Sequence, residues 1–146
     1  MSEVVGQPRE AAAPDRLVYD QPERVGKWVA TKVDVEGFIP PYTALGWENA
    51  EGELVGGIIF NNFTGANVEL SVAWDGPVPR AMLKHVRKYV FGQHKCRRIT
   101  IHTRKSRLDV ISQAERLGFE TEGFHPGFFA DDDGVSLGLL KHNCRW

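Results

Sequence analysis

Glu69 sits on the polar side of an otherwise apolar strand pattern, and a carboxylate so placed can move protons. Over Val68–Trp74, the residues Val68, Leu70, Val72 and Trp74 alternate with Glu69, Ser71 and Ala73, the period of a half-buried strand. Apolar neighbours disfavour the charged form. The Glu69 pKa is therefore expected to rise toward the working pH, where the side chain would serve as a general base. The alternative is a strand glutamate that faces solvent. Tyr89, His102, Ser112 and His125 are further groups able to hold a proton. Tyr89 falls on the apolar face of a helical pattern and reads as core, whereas His125, in a loop, reads as solvated. Phe124, Phe128 and Phe129 accompany His125, either as packing or as the wall of a pocket. Cys96 and Cys144 are too few and too far apart for a disulfide framework or a CxxC metal site, which suits a reducing cytoplasm and argues against zinc.

Charge is segregated along the chain. The 146 residues carry 18 Lys and Arg against 19 Asp and Glu, a formal net charge of −1. Residues 80–107 hold ten of the cations (Arg80, Lys84, Arg87, Lys88, Lys95, Arg97, Arg98, Arg104, Lys105 and Arg107) and no acid. Such a block should create a positive field that draws in phosphate groups, whether of an anionic cofactor or of nucleic acid bound through residues 80–107. A solvated basic face is the plainer alternative.

These residues need elements to hold them. A content of 42% hydrophobic and 25% charged residues fits an ordinary soluble protein, and 146 residues can bury a core of their own. No apolar run approaches the roughly 18–20 residues of a membrane span. The acidic, Pro/Ala-rich start does not resemble a secretory signal, so a cytoplasmic location without membrane contact is expected. Residues 1–15 read as a flexible N-terminal arm and residues 16–146 as a single domain. A short strand is expected over Arg16–Asp20, and a helix over Glu23–Val33 after Pro22. Strands over Thr43–Glu48, Leu54–Phe63 and Val68–Trp74 make a β-meander in which Gly56-Gly57 marks a bulge or a close backbone approach. Beyond them the pattern alternates: helix Arg80–Phe91, strand Arg97–Thr103, and helix Arg107–Leu117 capped by Gly118. A hairpin then starts near Phe128, turns at Asp131-Asp132-Asp133-Gly134 and returns through Val135–Lys141. Meander followed by alternation is an α/β pattern with a mixed sheet.

The order and end residues of Arg80–Gly123 resemble the second half of the GNAT (GCN5-related) N-acetyltransferase family. The basic helix ends Tyr89-Val90-Phe91, the next strand opens Arg98-Ile99, and the next helix closes Leu117-Gly118-Phe119 ahead of Glu122-Gly123. The likeness can be followed from about Tyr42 to the C-terminus. It implies a GNAT-like mixed, mostly antiparallel sheet flanked by helices, with strands four and five splayed apart. Acetyl-CoA would insert its pantetheine between Val68–Trp74 and Arg97–Thr103, bonding free strand-edge groups as an added strand would. The backbone of Leu70, Ser71 and Val72 would then lie near the thioester, and Glu69 would take the proton of an amine acceptor. In the family a Gly-rich loop before the long helix cradles the diphosphate. Here that place is occupied by Asp75-Gly76-Pro77, where Pro77 and Pro79 each lack an N–H donor. Arg80 would partly substitute by pairing directly with phosphate. The family's tyrosine acid aligns with Ala114, and the asparagine opening its helix aligns with Arg107.

The resemblance implies acetyl transfer from acetyl-CoA to an amine whose identity the residues do not specify, by a protein that could form a homodimer. Two rivals use the same fold differently. One is a nucleic-acid or virion-partner binding protein that has lost coenzyme A, with residues 80–107 as its phosphate-contacting face. The other is an enzyme that modifies a DNA base.

Overall fold

The computed structural model describes residues 16–146, and the arm expected over residues 1–15 lies outside them. The described residues have a mixed α/β fold whose seven strands are hydrogen-bonded in the order β1-β2-β3-β4-β5-β7-β6. They are β1 (Arg16–Val18), β2 (Tyr42–Glu48), β3 (Leu54–Asn61), β4 (Asn67–Trp74), β5 (Arg98–Arg104), β6 (Glu120–His125) and β7 (Gly134–Leu140). The α-helices are α1 (Pro22–Val33), α2 (Arg80–Arg87) and α3 (Leu108–Arg116). The chain divides into two compact units: residues up to Asn61 with Ser71–Pro79, and Asn62–Leu70 with Arg80–Trp146.

In the first unit, β1 pairs antiparallel with β2, and β2 with β3. Pro22 opens α1, where a missing N–H costs nothing, and Val25, Val29 and Ala30 are buried along it. Glycines let the helix come close. A Cβ on Gly46 would lie 2.7 Å from Val25, and one on Gly57 would lie 2.6 Å from Val29. Gly46 and Gly57 are register partners on β2 and β3, so α1 rests on a two-strand depression. Gly56 makes room on β3 for the Trp74 ring, which also meets Trp47 at 5.9 Å. The close approach expected at Gly56-Gly57 is therefore present twice. Glu48, buried at the end of β2, is held between Arg16 of β1 and Arg24 of α1.

In the second unit, β4 runs parallel to β5, while β5–β7 and β7–β6 are antiparallel. Its buried residues include Ile99, Leu137 and Leu139 on the strands and Met82, Val86, Val90 and Phe91 on the helical segment. The helix expected over Arg80–Phe91 is α-helical only to Arg87 and continues as a π-helical turn over Lys88–Gln93. That wider winding turns each residue less far around the axis, so the adjacent Val90 and Phe91 both stay buried. α3 ends as expected at Gly118, whose φ of 105° suits only glycine. Gly118 N–H bonds Glu115 C=O and Phe119 N–H bonds Ala114 C=O, the paired bonds of a Schellman ending. Leu108, the first residue of α3, is 71% exposed.

Two further expectations are corrected. The hairpin's first strand is β6 (Glu120–His125) rather than a segment from Phe128, because Phe128 and Phe129 pack in the connecting loop. The alternation along β4 slips after Leu70: Val72 is exposed and Ala73 buried.

Candidate functional site

β4 and β5 carry the site. Their parallel ladder registers Asn67↔Arg98 through Leu70↔Ile101 and ends there, although β4 runs on to Trp74 and β5 to Arg104. Glu69 stands one residue before that end. Because Glu69 registers with Thr100, and His102 follows Thr100 by two, the carboxylate and the imidazole share a face of the sheet. His102 Nδ1 lies 3.6 Å from Glu69 Oε1, an ion-pair distance too long for a direct hydrogen bond. Both side chains are partly buried, at 21% and 29% exposed.

The expected rise in the Glu69 pKa is corrected. The facing His102 imidazole pulls the carboxyl below its ordinary value; burial pushes it upward but loses, and the Asn62 side chain adds to the lowering. Glu69 is thus a carboxylate at neutral pH.

The same face extends across β7 and β6. His102 registers with Ser136, and Ser136 with Gly123. His125, expected in a loop, ends β6 with its Nε2 3.0 Å from the buried Ser136 Oγ. The Phe128 ring stacks on His102 at 4.7 Å with 13° between planes, and it meets His125 at 5.7 Å. Glycines again leave the space. A Cβ on Gly123 would lie 2.7 Å from Ser136 Oγ, and one on Gly134 2.7 Å from Phe128 Cβ.

The loop that presents Phe128 is fastened from both sides. Asp131 accepts from Arg104 Nε at 2.9 Å, and Asp132 from the Ser106 N–H at 3.1 Å. Asp133 accepts from the Gly127 N–H at 2.8 Å, and its carbonyl accepts from the Lys105 N–H at 2.9 Å. Arg104 also lies over the Phe129 ring at 4.5 Å.

The remaining candidates have surroundings of their own. Tyr89 meets His94 edge-on at 4.6 Å, and Ser112 is exposed on α3. Phe124 registers with Val135, on the opposite face of β6 from Gly123 and His125, and carries Lys105 over its ring at 4.9 Å. Along β4, Leu70 is buried, Ser71 half-buried and Val72 exposed. Gly76 has a φ of 93° with open space around it, and Arg80 is exposed at the start of α2. The charge of Asp75 in this loop is met by Lys32 Nζ at 3.0 Å.

The basic block is less exposed as a field than its sequence suggests. Arg98 is paired with Glu122, Arg104 with Asp131 and Arg107 with Asp109, all acids from outside the block. Arg87 donates to the Trp146 carbonyl at 2.5 Å.

Ser136 and the central place of His102 were missed from sequence. The signal was period two: Gly134, Ser136 and Gly138 on one strand, Thr100, His102 and Arg104 on another.

No family model and no curated protein matches the sequence. Solved structures do match the fold. The spermidine N-acetyltransferase SpeG from Vibrio cholerae in complex with CoA and spermine is 12% identical with a TM-score of 0.69, over 88% of this chain and 96% of that one. The chain has the GNAT fold. A dodecameric form of the Vibrio cholerae enzyme gives the same identity and TM-score, over 87% and 94% of the two chains. A chimera of it with hSSAT does so over 89% and 98%. At that identity the likeness is one of fold, and the GNAT arrangement supplies the parallel β4–β5 pair on which Glu69 and His102 stand. No helix among the described residues is long and apolar enough to cross a membrane.

Proposed function

We propose that this protein is an N-acetyltransferase that moves an acetyl group from acetyl-CoA to an amine. The observation that carries this reading is the ionised Glu69, set against His102 where the parallel ladder ends in a GNAT fold. Beyond Leu70, β4 continues without that ladder, which leaves backbone groups of Ser71 and Val72 suited to amide bonds with a pantetheine arm. Arg80, exposed at the start of α2 after the Asp75-Gly76-Pro77 loop, pairs with phosphate by charge. Pro77 and Pro79 reduce the amide donors of this loop, so the phosphates depend more on side-chain charge. Acetyl-CoA supplies an acyl group activated as a thioester.

The residues of the chain do the rest. Glu69 attracts the ammonium form of the acceptor and takes up the proton that its nitrogen releases, directly or through water. His102, held between the Glu69 carboxylate and the Phe128 ring, fixes the carboxylate's charge and orientation. N–H groups of β4 stabilise the oxyanion as negative charge builds on the carbonyl oxygen. Calorimetry with acetyl-CoA and an assay of thiol release over a panel of amines test this reading. Absence of acetyl-CoA binding at millimolar concentration would sink it.

A further inference from the structure

We infer that the acceptor is a monoamine carried on an aromatic body, rather than a polyamine. The inference rests on the acetyltransferase reading and concerns what lies around Glu69 in the second unit. A polyamine needs a series of carboxylates spaced to meet each ammonium group. Most acids of the strands and loops nearest Glu69 are already engaged, Glu120 at the exposed start of β6 apart. Glu122 is paired with Arg98, Asp131 with Arg104, and Asp132 and Asp133 bond the backbone N–H groups of Ser106 and Gly127. Glu69 faces only an imidazole and an amide side chain.

What surrounds Glu69 instead is ring surface. His102 stacks on Phe128, His125 sits against both, and Phe129 meets Phe128 edge-on at 5.1 Å. Phe128 is 49% exposed even though it is gripped by this stack, so ring area is presented to solvent one imidazole away from the carboxylate. A large exposed aromatic held rigid by its neighbours is a surface on which another ring can stack. One anion beside one aromatic platform matches one ammonium on a short tether to a ring.

The test compares phenethylamine with spermidine as acceptors, with acetyl-CoA saturating and thiol release as the readout. Phenethylamine should show the higher kcat/KM. Phe128→Ala also removes a support of His102 and so slows both amines, but it should lower the kcat/KM of phenethylamine about tenfold more than that of spermidine, as loss of an aromatic contact does. A higher kcat/KM for spermidine, or a Phe128→Ala variant that slows both amines equally, would overturn the inference and leave the acetyltransferase reading standing. Thiol release with no amine of a broad panel would overturn the acetyltransferase reading itself. Circular dichroism of the variant confirms that any loss is not one of fold.

Discussion

A glutamate on the polar side of an apolar strand invites the expectation of a raised pKa, yet the structure gives the reverse. The decisive groups come from elsewhere in the chain: His102 on β5 and the Asn62 side chain. Strand periodicity placed Glu69 on a face, but the partner that sets its charge is fixed by the β4–β5 register, which a single sequence does not display. Glu69→Gln should leave acetyl-CoA affinity nearly unchanged and reduce turnover by about 10²–10⁴-fold, measured by thiol release and calorimetry. The lowered pKa also fixes a pH window. An unfolded glutamate titrates near 4.3, and Glu69 titrates lower when folded, so its stabilising contribution is complete above about 4.3 and is lost as pH falls through the folded value. His102→Phe keeps a ring for Phe128 to stack on and removes the nitrogen facing Glu69. Its Glu69 pKa should move upward, read as an upward shift of the acid limb of the pH–rate profile. An unmoved limb would show that His102 does not hold the carboxylate's charge.

Elements were the most legible level. Alternating or helical apolar spacing located six strands and three helices, because each buries one face and the period records it. The β6–β7 hairpin was less legible because its aromatic residues lie in the connection, where a ring contact replaces a strand position. The π-helical turn had no signal, since adjacent apolar residues such as Val90-Phe91 fit an α-helix as well. The Schellman ending was readable from Gly118 alone. Gly118→Ala should destabilise the protein by more than about 1 kcal/mol, since its φ is 105° and the added methyl would lie 3.1 Å from Leu139 and from the Asn143 carbonyl. Chemical denaturation measures this. Glu48 ties β1 and α1 to β2 through Arg24 and Arg16, which hold its carboxyl below the ordinary range. Its contribution is likewise present above about 4.3 and lost as pH falls below it. Glu48→Gln should therefore lower the melting temperature at pH 7, with the difference from wild type shrinking toward pH 3.

At the scale of the whole molecule, ten cations without an acid in residues 80–107 suggested a strong positive field. Three of them instead meet acids that follow the block in sequence, which a one-dimensional charge count cannot show. Arg87 is likewise engaged, so Lys84 and Lys88, both exposed on the same helical segment, are the better probes. Replacing both with alanine should leave acetyl-CoA affinity unchanged by calorimetry. Duplex DNA should show no micromolar binding at 150 mM salt in either protein, measured by fluorescence anisotropy; a phosphate-contacting face would give binding that weakens steeply with salt. The division of the chain into two units carries a separate consequence for how it is made. Their segments interleave: Asn62–Leu70 emerges from the ribosome before Ser71–Pro79, yet belongs to the unit completed later. Once Pro79 is out, every segment of the first unit has been synthesised, while the parallel edge of Asn67–Leu70 still lacks Arg98–Ile101. During that interval a strand edge is left to wait, the feature that aggregation exploits. Translation speed across residues 80–101 therefore governs how long the nascent chain remains open to mispairing.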